Sequence, residues 1–120
     1  MLYNKSMEIE FFRRGKRCPV KGFLDSLPVK KRAKALRNLE LLKEFGLAAG
    51  ARFVEPIGDG LFSLRTVFAG DQIRILFFTV IRNKAVLLSG FEKKTRKIPR
   101  REIALALKRK NDYIREHTRR

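Results

Sequence analysis

The second half of the chain contains three short runs rich in apolar residues, which predict three consecutive strands. The runs cover residues 60–65, 72–78 and 86–91, and polar breaks separate them. Successive side chains of a strand point to opposite faces of a sheet. Arg65 and Arg74 then share one face, called the cationic face below, and we expect a curved sheet whose other face is apolar.

Two further strands are predicted before these runs. Residues 7–12 alternate apolar and acidic side chains, with Met7, Ile9 and Phe11 on the buried side. Residues 52–57 form a short strand containing Pro56, which cannot donate to a ladder and therefore marks an edge. The Asp59-Gly60 pair that follows is typical of a tight turn.

Helical spacing of apolar residues predicts three helices. The first starts at Pro19, the second covers residues 29–45 and stops at Gly46, and the last starts at Pro99. Their expected apolar positions are Val20, Phe23, Leu24 and Leu27; Ala33, Leu36, Leu39 and Leu42; and Ile103, Ala106, Leu107 and Ile114. The order strand, helix, helix, four strands, helix predicts an α+β domain, with a helical hairpin packed on a largely antiparallel sheet.

The length of 120 residues allows one domain with one buried core. We expect a flexible leader over residues 1–6, the domain over residues 7–117 and a basic tail over residues 118–120. Cys18 is the single cysteine, so no disulfide forms within the chain, and no signal peptide or membrane-length apolar run is present. These features predict a cytoplasmic protein with no membrane association.

The net charge points to a polyanionic partner. Lysine and arginine number 29 against 12 acidic residues, which gives a formal charge of +17. A compact state of that charge repels itself, and the usual compensation is a nucleic acid or a ribosome. An anionic membrane surface and an acidic protein are the alternatives.

Candidate site residues cluster on the cationic face and on the basic segment after residue 91. They are Arg65, Arg74, Lys93 and Lys94 as catalytic candidates, and Phe91, Arg96 and Lys97 as RNA-binding candidates. Arginine binds phosphate through bidentate contacts and lysine binds it as a point charge. Phe91 either stacks on a base or packs in the core. No acidic cross-strand partner is expected for Arg65 or Arg74.

The single histidine, His117, lies near the end of the chain, where solvent exposure is expected. Catalysis without histidine is feasible on RNA, because the 2′-hydroxyl supplies the nucleophile and the protein needs to align it and stabilise charge. Neighbouring cations disfavour the protonated form of a lysine, which makes Lys93 or Lys94 a candidate for proton transfer. Composition alone does not separate catalysis from plain binding.

Several motifs together resemble HigB-type toxins of the RelE/ParE superfamily, particularly the phage-related branch. These motifs are Gly60-Leu-Phe-Ser-Leu-Arg65, Arg74-Ile-Leu-Phe-Phe78, Ser89-Gly-Phe-Glu-Lys-Lys-Thr95 and Pro99-Arg-Arg-Glu-Ile-Ala104. The resemblance covers residues 7–113. Ile73 stands where relatives often have an aromatic residue, and Ser89 where they often have histidine.

The resemblance implies the RelE/ParE-like fold and a toxin that cleaves messenger RNA in the ribosomal decoding site. Cleavage would use the 2′-hydroxyl, without metal or cofactor, through arginine and lysine on the cationic face. A HigA-like helix-turn-helix antitoxin would be its partner, beside the ribosome and the message. ParE-like relatives instead inhibit DNA gyrase without enzymatic activity, and a basic nucleic-acid-binding module is a third interpretation.

Overall fold

A computed structural model describes residues 6–81 and 83–118 and shows five strands and three α-helices. The elements are β1 (Glu8–Phe11), α1 (Pro19–Ser26), α2 (Val29–Phe45), a 3-10 turn (Gly46–Ala49), β2 (Val54–Gly58), β3 (Leu61–Phe68), β4 (Asp71–Val80), β5 (Lys84–Lys93) and α3 (Arg100–Thr118). This is the predicted order. The expected leader and basic tail lie almost wholly outside the described residues.

The five strands form one mixed sheet in the order β1-β5-β4-β3-β2. β1 runs parallel to β5, and the other pairs are antiparallel. β2, which contains Pro56, lies at an edge, where the missing amide donor removes no central ladder bond. The α+β class and the largely antiparallel sheet are confirmed.

Both faces of the sheet are apolar over much of their area, so the expected division into one apolar and one cationic face is wrong. The α1–α2 hairpin covers one face and buries residues such as Leu24, Leu42 and Phe77. α3 covers part of the other face and buries a second cluster, including Phe78 and Ala106. The cationic face is therefore only the part of the second face that α3 leaves uncovered.

The buried side of α2 agrees with the prediction at Leu39 and Leu42 and differs from it at Ala33 and Leu36, which are exposed. Ala35, Leu39 and Leu42 are buried, whereas Leu36 is 44% exposed. Asn38 is also buried, and its side-chain amide donates to Thr66 Oγ1 at 2.9 Å. A polar side chain is tolerated in a core when it is hydrogen-bonded. Because the prediction counted only apolar residues, it did not place Asn38 on the buried side of the helix.

The buried side of α3 contains Tyr113 in place of the predicted Ile114. The Tyr113 ring meets Phe78 edge to face at 5.6 Å between centroids, and its hydroxyl donates to Glu10 Oε1 at 3.0 Å. Ile114, one position further around the helix, is 40% exposed. An amphipathic tyrosine thus closes the core while its polar end finds an acceptor.

Gly90 allows α1 to approach β5 closely. A methyl group built on Gly90 would lie 2.5 Å from Phe23 Cδ2. Because overpacking forces shifts in a close-packed interior, we expect Gly90→Ala to lower the free energy of unfolding by about 1–3 kcal/mol. Urea unfolding measures this difference.

Gly22, also on α1, provides the matched control because a methyl group there would meet nothing within 4 Å. Gly22→Ala is expected to be neutral or to stabilise the fold by up to about 1 kcal/mol through helix propensity. Equal unfolding midpoints for Gly90→Ala and wild type would show that the contact with Phe23 does not constrain this position.

Candidate functional site

The cationic face is built from adjacent positions on three strands. Arg65 on β3 lies directly opposite Arg74 on β4, and Arg74 lies opposite Phe91 on β5. In the next row, Gln72 lies opposite Lys93. The predicted sharing of one face by Arg65 and Arg74 is confirmed.

A β-bulge on β5 brings Phe91 and Lys93 onto this face. Leu76 pairs with Ser89 but Phe77 pairs with Leu87, so Leu88 is an extra residue. A one-residue change of register moves every following side chain to the opposite face. Without this bulge, Lys93 would lie on the face covered by α1 and α2.

A second bulge brings Glu55 to the same face. Pro56 pairs with Phe62 and Gly58 pairs with Leu61, so Ile57 is the extra residue of β2. Glu55 therefore lies opposite Ser63, on the side of Arg65 and Arg74. A regular hairpin from the Asp59-Gly60 turn would have turned this carboxylate to the other face, which explains why the sequence did not reveal it.

Arg74 is buried and both terminal nitrogens of its guanidinium are engaged, contrary to the expectation of an unneutralised cation. Its Nε, like that of Arg65, is buried without a hydrogen-bond partner within the described residues. The residue is 2% exposed, and its Nη1 lies 2.5 Å from Glu55 Oε1. It also donates to Ser63 Oγ at 3.1 Å, to Gln72 Oε1 at 2.9 Å and to the Arg96 carbonyl at 3.1 Å. Arg74 thus ties strands β2, β3 and β4 to the segment between β5 and α3.

Arg65 is the less engaged of the two arginines. It is half-buried, and within the described part of the chain its Nε is buried without a hydrogen-bond partner and its guanidinium forms no ion pair. Its backbone amide donates to the Phe53 carbonyl at 2.7 Å, which fixes the strand beneath the side chain. Arg65 is therefore the arginine that is free to bind an anion.

Lys93 and Lys94 are separated. Lys93 is half-buried on the cationic face, across from Gln72. Lys94 is 84% exposed and pairs with Asp71 at 2.8 Å, and Asp71 also pairs with Lys31 of α2 at 2.7 Å. The two lysines consequently do not form the single basic group that their adjacency suggested.

Phe91 packs in the core cluster beneath α3 and is only 8% exposed. Core packing was the correct alternative, and the buried ring has no open surface on which a base could stack. Arg96 and Lys97 are exposed in the segment that Arg74 holds through the Arg96 carbonyl. These two side chains remain available to a polyanion.

Ser89 and His117 make contacts with core and helix residues rather than contributing to the cationic face. Ser89 is buried, and its hydroxyl lies 3.4 Å from Glu102 Oε1 on α3. His117 is exposed as expected, but its ring stacks on Tyr113 with centroids 3.8 Å apart. Tyr113 contacts Phe78 on β4. Phe78 lies four residues from Arg74 along this strand, which places their backbones about 13 Å apart. His117 is therefore remote from the cationic face.

The ion pairs of the Asp71 carboxylate predict that the folded protein loses stability in acid. Hydrogen bonds from Lys31 and Lys94 lower its pKa from 3.8 to about 2. A depressed pKa in the folded state contributes stability above the unfolded pKa, and that contribution is lost as pH falls towards 2. We expect wild type to exceed Asp71→Asn in unfolding midpoint at pH 6, with the gap closing between about pH 4 and pH 2.

Urea unfolding at several pH values measures this gap, and Asp25→Asn is the matched control. Asp25 pairs with Lys21 on the exposed side of α1, with both side chains about 60% exposed. Exposed pairs contribute little to stability, so the control gap is expected to be small at every pH. A gap for Asp71→Asn that does not change with pH would contradict the assignment.

Within residues 6–81 and 83–118, no helix is long and apolar enough to cross a membrane. The chain matches no curated protein. The model of one family, described as Phage derived protein Gp49-like, matches residues 22–111. Because this match spans most of the chain, the protein belongs to the Gp49-like family, a toxin-like family associated with the RelE-like toxins of toxin–antitoxin systems.

Proposed function

We propose that this protein is a HigB-type toxin that cleaves messenger RNA on the ribosome. Membership of a toxin-like family supports the class. The observation that supports the chemistry is the half-buried Arg65 guanidinium, which shares the cationic face with Lys93 and forms no ion pair within the described residues. A guanidinium without an ion pair keeps its charge for a ligand, and a phosphate binds arginine through bidentate contacts.

In this proposal the ribose 2′-hydroxyl attacks the adjacent phosphorus. Arg65 binds the phosphate and stabilises the charge that develops on its oxygens in the transition state. Lys93 donates a proton to the departing 5′-oxygen. Lys94 is held at Asp71, so Lys93 is the lysine assigned to this step.

The remaining candidates bind and position the substrate. Arg96 and Lys97 contact flanking phosphates as exposed cations, a contribution that does not depend on base sequence. Arg74 is a positioning residue, because it acts through Glu55 and the Arg96 carbonyl. Phe91 supports the strand from below as part of the core.

The partners follow from the charge and the proposed reaction. A protein of charge +17 is attracted to ribosomal RNA at long range, with an affinity that falls steeply with salt. A HigA-like helix-turn-helix antitoxin would neutralise the toxin in the cytoplasm. A segment covering the cationic face would need acidic residues, because an unpaired buried charge is costly.

A reconstituted translation system tests the function with a defined message. Wild-type protein is expected to produce new 3′ ends within translated codons, carrying a 2′,3′-cyclic phosphate, and 5′-hydroxyl fragments. A single 2′-deoxy substitution at the cut nucleotide should abolish that cut, since the nucleophile is then missing. The same message without ribosomes is the control and should remain largely intact.

Intact translated messages in the presence of active, folded protein would contradict the nuclease function. If growth arrest in cells came with a DNA-damage response and uncut transcripts, a ParE-like inhibitor of gyrase would be the better interpretation. Salt-sensitive RNA binding without cleavage or toxicity would instead indicate a plain binding module.

A further inference from the structure

Glu55 presents a carboxylate on the cationic face that no sequence motif indicated. It lies on edge strand β2 opposite Ser63, and its Oε1 is held 2.5 Å from Arg74 Nη1. Its side chain is nevertheless 44% exposed, whereas that of Arg74 is 3% exposed. One oxygen is thus fixed by a buried cation while the carboxylate itself remains accessible from solvent.

The proposed reaction needs a group that accepts the proton of the 2′-hydroxyl. Arginine and protonated lysine carry donors and no acceptor, so Arg65, Arg96 and Lys97 cannot take this role near neutral pH. His117 is remote from the face, in the last turn of α3. A carboxylate is ionised at neutral pH and accepts protons in general base catalysis.

We propose that Glu55 is the general base of this site, an inference that rests on the proposed function. The Glu55 carboxylate takes the proton from the ribose 2′-hydroxyl as O2′ forms a bond to phosphorus. The bond between phosphorus and O5′ breaks, and the O5′ leaving group takes a proton from the Lys93 ammonium. The products are a 2′,3′-cyclic phosphate and a 5′-hydroxyl, and the substrate class is RNA, since deoxyribose has no such hydroxyl.

The position of Arg74 explains how this base is held. The charged groups on Glu55's side of the sheet are Arg74 on β4, Arg65 on β3 and Lys93 on β5. Glu102 and Arg109 of α3 lie over the same face, at Ser89 and Leu88. Arg74 is fixed by Ser63, Gln72 and the Arg96 carbonyl, so its contact with Oε1 restricts the carboxylate to one orientation. A base that is oriented before substrate binds gains rate through alignment.

Glu55→Gln separates the base from the structural role, because the amide oxygen can still accept from Arg74 but the side chain no longer takes a proton. We expect a folded variant whose single-turnover cleavage of ribosome-bound message is about 10²–10⁴-fold slower than wild type. The matched control is Glu44→Gln, on the exposed side of α2, which should cleave at the wild-type rate.

The pH dependence of the single-turnover rate tests this role, because it would not change if Glu55 were only structural. A general base acts only in its deprotonated form, so the wild-type rate should fall on the acid side, and this acid limb should be absent from the residual activity of Glu55→Gln. If Glu55→Gln fails to fold, Glu55→Asp replaces it, since a shorter carboxylate should still show the acid limb at reduced rate. An acid limb missing from both wild type and Glu55→Asp would overturn the proposal.

The outcomes for this inference and for the proposed function are distinct. A wild-type protein that leaves translated messages intact would overturn both. If wild type cleaves and a folded Glu55→Gln variant cleaves at the same rate, the proposed role of Glu55 is wrong. The nuclease function itself is then unaffected.

Discussion

Arg74→Ala is expected to destabilise the fold by about 2–4 kcal/mol. The substitution removes a buried guanidinium and leaves Ser63 Oγ, Gln72 Oε1 and the Arg96 carbonyl without their donor. Breaking a fully buried ion pair costs about 3–5 kcal/mol. The expected value is lower here because the Glu55 carboxylate is accessible to water and can be solvated after the change.

Urea unfolding followed by circular dichroism measures this effect. Arg13→Ala is the matched control, since Arg13 is an exposed arginine in the loop between β1 and α1. Exposed substitutions of this kind are usually within about 0.5 kcal/mol of wild type. If Arg74→Ala unfolded at the wild-type urea concentration, the network around Arg74 would have no net stabilising role.

This prediction changes how loss of toxicity in an Arg74 variant should be interpreted. An inactive Arg74→Ala protein does not identify a catalytic arginine, because the same change loosens three strands and the segment that carries Arg96 and Lys97. If cells that express Arg74→Ala grow normally, an unfolding curve of the variant is needed to distinguish lost catalysis from lost folding. Arg65 and Glu55 are the positions at which activity and folding can be separated.

The sequence allowed the fold to be predicted because its local features agree with one another. Proline at the helix starts and the Asp59-Gly60 turn mark boundaries that the structure confirms. The three apolar runs coincide with β3, β4 and β5, although the observed strands extend up to three residues beyond them. The buried faces of the helices were predicted only in part. Asn38 is buried through a bond to Thr66, and Tyr113 is buried through a bond to Glu10, so polar partners decided which side faced the core.

The site could be predicted only in part, because two bulges determine which side chains meet. Arg65 and Arg74 follow from plain alternation. Lys93 reaches their face because Leu88 is an extra residue, and Glu55 reaches it because Ile57 is one. Each bulge inverts the face of every residue beyond it, and bulges are enriched next to functional sites.

The same bulges explain why only one of the two arginines that were expected to be unpaired lacks an ion pair. Once Glu55 lies on the cationic face, it neutralises the more buried arginine, Arg74. Arg65 has no ion pair within the described residues and so retains its charge for a ligand. One arginine therefore organises the site and the other is available to substrate, a division of roles that residue type alone cannot reveal.

Arg65→Ala is expected to slow cleavage of ribosome-bound message by about 10²–10³-fold, the usual effect of removing one donor to a transition-state anion. The fold should be retained, because the Arg65 guanidinium leaves no ion-pair partner behind within the described residues. Single-turnover rates, together with unfolding curves, separate the two effects. Arg13→Ala serves again as the exposed control and should cleave at the wild-type rate.

Arg65→Lys refines the test, because lysine keeps the charge but loses the bidentate geometry that suits a phosphate. An intermediate rate for Arg65→Lys is expected if both charge and geometry contribute. The salt dependence of RNA binding should also weaken in Arg65→Ala, with a slope smaller by about one unit for one lost phosphate contact. A folded Arg65→Ala protein with the wild-type rate and the wild-type salt slope would place the scissile phosphate elsewhere, because a guanidinium that bound it could not be removed without affecting either quantity.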